Sequence, residues 1–146
     1  MMKKKKYKIL ISAIPLVPIC QKFRKYFDHK KFSINLKKTD QFLNENELIK
    51  IIKDYDGVIC GDDEFSEKVL LKAQKLKVIS KWGTGIDSID LKACKKFNVK
   101  VYNTPGAFTE SVATQAMAFI LNFNRKILSN HNNIQNGIWN KFEGST

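Results

Sequence analysis

The chain has 146 residues, of which 43% are hydrophobic and 27% charged, which fits one ordinary domain with a real core and excludes a disordered chain. The formal net charge of +12 raises nucleic-acid binding, but only Arg24 and Arg125 carry the bidentate guanidinium that phosphate and base readout favour, and no aromatic residues interleave with the lysine runs. The lysines therefore read as solvated faces, and no apolar run reaches the eighteen or so residues of a membrane span.

The first twenty residues, MMKKKKYKILISAIPLVPIC, resemble a secretory signal in having a basic start and an apolar stretch. Lys8, Pro15 and Pro18 interrupt that stretch, and no small-residue cleavage site follows. The expectation is a basic tail feeding a first strand, Tyr7 to Ile14. Pro15 and Pro18 then open a helix through about Phe27, with Ile19, Phe23 and Phe27 on one face. Lys31 to Leu36 alternates and reads as a second strand.

Asn44 followed by Glu47 is a capping-box start for a helix from Glu45 to Lys53. Gly57 to Cys60 is a short continuous apolar strand, as in a parallel sheet buried on both faces. Ser66 caps a helix to about Gln74, Val78 to Trp82 is a fourth strand, and Asp90 caps a helix from Leu91 to Phe97. Asn98 suits a left-handed stop, and Val99 to Asn103 is a fifth strand. Five strands alternating with helices predict an α/β fold, a doubly wound, flavodoxin-like parallel sheet.

Beyond Pro105 and Gly106, Thr109 is placed to cap a long helix to about Leu128. Its run from Ala116 to Leu121 is apolar all round, so it needs burial on several sides. A single five-stranded domain covers only one side, which points to a further domain or chain. Residues 129–146 are polar with isolated anchors at Ile134, Ile138, Trp139 and Phe142, and read as an arm.

Three cysteines, Cys20, Cys60 and Cys94, are odd in number and lack CxxC spacing, which argues for a reducing, cytoplasmic setting. His29 and His131 have no partners at metal-ligand spacing, so no metal is expected. Gly83-Thr84-Gly85 follows a strand, but the six residues GTGIDS put Ser88 where a dinucleotide fingerprint needs its third glycine, and the strand KVYNT lacks a terminal acid for a ribose. The turn instead offers unencumbered backbone N–H groups at a strand C-terminus, suited to a carboxylate. The bland alternative is a tight turn that needs glycine for its backbone alone. Asn103-Thr104-Pro105-Gly106 closes the next strand on the same edge. Asp90 reads as a helix cap, Asp87 as a turn residue bonding local backbone, and Cys94 as a buried thiol.

Taken together, WGTGIDSIDLKAC, VKVYNTPGAFTESVA and NGIWNKFEGST resemble the D-isomer-specific 2-hydroxyacid dehydrogenase family, which includes phosphoglycerate, glyoxylate and D-lactate dehydrogenases. The likeness runs from about Gly57 onward. It implies a substrate-binding domain over residues 1–104, an interdomain crossing helix over 105–128, and an arm over 129–146 leading into a Rossmann domain that binds NAD, with NADP also open. By the same resemblance, Lys81, Trp82, Gly83, Thr84 and Gly85 line the substrate carboxylate and Asn103 lies over the reacting carbon. Thr84 and Val112 approach the nicotinamide.

The resemblance also implies a small 2-oxo or 2-hydroxy acid as substrate and a homodimer for the full-length protein. The family's catalytic Arg, Glu and His fall beyond Thr146, so no catalytic residue is expected within this chain and the chain alone is expected to be inactive. Where phosphoglycerate-specific relatives place a basic residue after the third strand, this chain has Gly61-Asp62-Asp63-Glu64, which argues against a phosphorylated substrate. Two other readings stay open: a non-catalytic module for small carboxylates, and half of a split enzyme docking on a separate cofactor domain.

Overall fold

The structure, a computed structural model, describes residues 6–139. Phe142 and the end of the last quoted motif lie outside them. The chain forms two units, divided between Pro105 and Gly106.

In the first unit, β1 (Tyr7–Ile11), β2 (Phe32–Leu36), β3 (Gly57–Cys60), β4 (Val78–Lys81) and β5 (Lys100–Tyr102) form one parallel sheet in the order β2-β1-β3-β4-β5. This is the flavodoxin-like order the alternation predicts. Strand parity sorts the core into two layers. Leu10, Val58, Cys60 and Ile79 face one side, where they pack with Leu48, Phe65, Val69, Leu70 and Ala93. Ile11 and Ile59 face the other, with Leu16, Cys20, Phe23 and Ile34.

The helices on the first face start where their caps say. Asn44 closes α1 (Glu45–Ile51) with a reciprocal capping box: its side chain accepts from Glu47 N at 3.0 Å and its own N donates to Glu47 Oε2 at 3.0 Å. Ser66 caps α2 (Glu67–Lys72), and Asp90 caps α3 (Leu91–Lys96) by accepting from Ala93 N at 2.9 Å. Asn98 is left-handed, at φ 57°, and ends α3 as expected. Asn44→Ala removes half of the box and should lower stability by about 1 kcal/mol. The check is a drop in the urea midpoint at unchanged slope.

Several expectations need correction. The segment after Pro15 is a 3-10 helix, Val17–Tyr26, rather than an α-helix. Val17, Cys20 and Phe23, spaced by three, stack along a 3-10 ridge, and Cys20 is the residue it buries. The helix from Glu45 tightens into a 3-10 turn at Ile52–Asp54. The helix expected from Thr109 to Leu128 is two, α4 (Thr109–Arg125) and α5 (Ile127–Gln135), broken where Lys126 turns left-handed at φ 48°.

Thr109 is the first helical residue of α4. The cap position is Phe108, which supplies no side-chain hydrogen bond. In the second unit, α4 buries none of its residues, and Val112, Met117, Phe119, Ile120, Leu121 and Phe123 are exposed. The unit by itself offers this run no apolar cover. Among the described residues no helix is long and apolar enough to cross a membrane.

Candidate functional site

Open parallel sheets bind ligands at the carboxyl ends of their strands, because there the loops diverge and leave backbone N–H groups unpaired. At that edge β3 and β4 stay in register through Cys60 and Lys81, and Trp82 N continues the ladder by donating to Cys60 O at 2.8 Å. The backbone then leaves the sheet at Gly83, whose φ of +149° is a conformation side-chain-bearing residues rarely adopt. The following loop holds the turn from its other flank. Thr104 N donates to Gly83 O at 2.9 Å, and Asn103 Nδ2 donates to Thr84 O at 2.7 Å.

The glycine turn and the Asn-Thr-Pro-Gly turn are thus brought together, as their shared edge implies. The N–H groups of Gly83, Thr84 and Gly85 donate no hydrogen bond among the described residues. Thr84 and Gly85 are exposed, and Trp82 stands half out beside them. Three backbone donors without a partner at this edge suit a carboxylate or a similar anion. Val112 belongs to the second unit, where it lies near the start of α4 with its side chain exposed.

Lys81 is placed differently from its neighbours. Strand parity puts it on the buried face with Ile79, and it is only 4% exposed. Its Nζ donates to Gly61 O at 2.6 Å and to the Asp62 carboxylate, which is itself largely in solvent. The ammonium is turned toward the loop after β3.

That loop is bound along its whole length. Asp63 is fully buried; it accepts from the Ser12 hydroxyl at the end of β1 and from Leu43 N at 2.7 Å. Burial pushes the Asp63 carboxyl above its ordinary value, against the opposing pull of these two hydrogen bonds and of Lys81. Glu64 accepts from Glu45 N at 2.9 Å in the first turn of α1. The acidity read from Gly61-Asp62-Asp63-Glu64 is therefore largely engaged within the protein, which weakens the sequence argument against a phosphorylated substrate.

Beside the turn, a cleft of about 510 Å³ is lined by Phe42, Asp62, Glu64, Asp87, Ser88 and Asp90. Asp87 makes no hydrogen bond among the described residues, so the expected turn-capping bond is absent. Cys60 and Cys94 are buried, and desolvation pushes their thiols up to about 12 and about 11, so neither is a nucleophile near neutral pH. A dinucleotide cradle does not fit this turn. Ser88 occupies the place of the third glycine, and the next helix begins only at Leu91, so no helix N-terminus meets the turn.

Ser12 and Asp63 were not singled out from sequence. The signal was available in the strand order, since β1 and β3 are neighbours and Ser12 and Gly61 both begin the loops that leave their carboxyl ends.

Comparisons with known proteins agree with this architecture. Residues 9–137 match the family model described as D-isomer specific 2-hydroxyacid dehydrogenase, catalytic domain. The chain is 35% identical over 107 residues to the hydroxypyruvate reductase of Thermotoga maritima, a match covering 73% of this chain and 35% of that protein. It is 34% identical over 99 residues to the glyoxylate reductase of Thermofilum pendens, covering 67% of this chain and 29% of the relative. Among solved structures, D-lactate dehydrogenase from Aquifex aeolicus, complexed with NAD and lactic acid, aligns with a TM-score of 0.73 at 24% identity, over 92% of this chain and 39% of that one. At that identity the likeness speaks for the fold. The chain spans about a third of the length of these curated relatives.

Proposed function

Because the chain belongs to the D-isomer specific 2-hydroxyacid dehydrogenase family, we propose that it is the substrate-binding part of an oxidoreductase that interconverts a small D-2-hydroxy acid and its 2-oxo acid by hydride exchange with NAD or NADP. The observation that carries this reading is the row of unpartnered N–H groups at Gly83, Thr84 and Gly85. They hold the substrate carboxylate, Trp82 walls it, and Asn103 lies over the reacting carbon while fixing the turn through Thr84 O. Thr84 approaches the nicotinamide.

Hydride transfer to a carbonyl also needs a proton donor at its oxygen and a cation to polarise it. The turn residues supply neither. In this reading the acid/base group, the cation and the cofactor fingerprint belong to a Rossmann domain outside residues 1–146. Residues 1–104 form the substrate domain, 105–128 the crossing helix and 129–146 the arm. The exposed apolar side chains of α4 are its contact with that domain, and the full-length protein is a cytoplasmic homodimer.

Titrating glyoxylate into the isotope-labelled chain tests the site. The largest amide shifts are expected at residues 83–85, while the same chain with NADH and glyoxylate or hydroxypyruvate shows no turnover. Shifts centred elsewhere in the fold would remove the carboxylate site, and measurable NADH oxidation would remove the proposed division of labour.

A further inference from the structure

Lys81 is the only buried cation among the described residues, and it lies at the root of the candidate carboxylate site. Position alone makes it a ligand for an anion, but its geometry says otherwise. A β-carbon placed on Gly83 would meet Lys81 Cε at 3.5 Å, so the aliphatic stem runs directly beneath the glycine turn. The head then passes across to the neighbouring loop, where Gly61 O and the Asp62 carboxylate take two of its three protons. The next residue, Asp63, anchors the same loop to β1 and to Leu43. The loop is thereby a fixed abutment, and Lys81 ties the glycine turn to it.

We propose that Lys81 is a positioning residue: by clamping Gly61 and Asp62 from beneath Gly83, it holds the N–H groups of residues 83–85 in their binding geometry and does not itself touch the carboxylate. The ligand part of this inference rests on the function proposed above. The clamp itself does not. Its physical basis is that a nest binds an anion only if its donors are already aimed, and a glycine turn is the backbone least able to hold its own shape.

The two roles make opposite forecasts for Asp62→Asn, which alters a solvent-exposed side chain and leaves the core intact. If Lys81 were a direct ligand, loss of the competing carboxylate would free the ammonium and tighten glyoxylate binding. If Lys81 positions the turn, losing the carboxylate's charge loosens the clamp, although the amide oxygen still accepts, and weakens glyoxylate binding by up to about fivefold. The melting temperature should stay unchanged, a split that a purely structural role would not produce. Lys81→Met should weaken binding at least as much, and Lys81→Arg should restore most of it.

Amide exchange in the unliganded chain reads the clamp independently. Trp82 N and Glu64 N, bonded to Cys60 O and Leu43 O, flank it on either side. Their exchange should quicken in Asp62→Asn and Lys81→Met and slow again in Lys81→Arg. Tighter glyoxylate binding by Asp62→Asn overturns the proposal, and so does unchanged exchange at both amides. If the wild-type chain gives no glyoxylate shifts at all, the carboxylate reading fails, and the exchange rates alone then decide the clamp.

Discussion

Asp63→Ala is expected to lower folding stability by about 2–3 kcal/mol, because it leaves the buried Leu43 N–H without its acceptor and the Ser12 hydroxyl with only a long 3.5 Å bond to Ile59 O. Each unsatisfied buried group costs roughly 1–3 kcal/mol. Asp63→Asn separates the hydrogen bonds from the charge. Its amide oxygen still accepts from Leu43 N, and its NH2 donates to Ser12 Oγ, which is then free to donate toward Ile59 O.

The pH dependence distinguishes the two forms. Burial raises the folded carboxyl of Asp63 above its unfolded value, so between those values the folded state binds more protons than the unfolded one. The stabilisation is then full below the unfolded value and is lost as pH rises through the raised folded value. Asp62, beside it, raises the value further and Lys81 opposes it, but desolvation leads. Relative to wild type, Asp63→Asn should become progressively more stable across the range from the ordinary carboxylate value up to mildly alkaline pH. Urea midpoints for both proteins at the two ends of that range provide the check. A wild type that gains on the variant with rising pH would mean that hydrogen bonds and Lys81 outweigh burial.

The second large effect concerns the two glycines of the turn, which have different tolerances although they look equivalent in sequence. Gly83→Ala should cost about 1–3 kcal/mol and weaken glyoxylate binding about tenfold or more. The cost is conformational, because the new methyl group meets only Lys81 Cε at an ordinary 3.5 Å while φ sits at +149°. Gly85 has no left-handed φ, and a methyl group there meets Asp87 Oδ2 at 3.5 Å, so Gly85→Ala should change stability by less than about 1 kcal/mol. Denaturation and glyoxylate titration of both variants give the ranking. Equal losses would show that the turn is not held by Gly83 and that the orientation of its donors has another source.

Local chemistry made most of this fold legible. Gly57 to Cys60 could be bounded to the residue because a glycine and a loop of polar residues fence a short apolar run. Asn44, Ser66 and Asp90 each announce a helix start through a side-chain bond to the adjacent backbone, and Asn98 announces a helix end by tolerating a left-handed φ, so their signals are complete within a few residues. The stretch from Val17 to Tyr26 was ambiguous because it carries apolar spacings of both three and four. The break at Lys126 was invisible because lysine has no side-chain preference for a left-handed backbone.

In the candidate site, glycine and asparagine are informative because each serves the turn by its backbone or a short amide. Lys81 was legible as a residue at the site, and its inward direction could have been read from the parity it shares with Ile79. The Ser12–Asp63 pair spans 51 residues, and nothing local to either marks it. It becomes visible only once β1 and β3 are known to be neighbours.

The strand order also bears on how the molecule comes into being. β1 sits inside the sheet, and β3, β4 and β5 are each laid against the strand already in place on that side, through Ile9 and Gly57, Gly57 and Val78, then Val78 and Lys100. A sheet of this order can grow outward in the sequence in which a ribosome delivers it. The glycine turn is held by Cys60 on one flank and Thr104 on the other, so it is completed last, on a platform already in place, and a nascent chain halted before β5 would carry the abutment without the bond from Thr104.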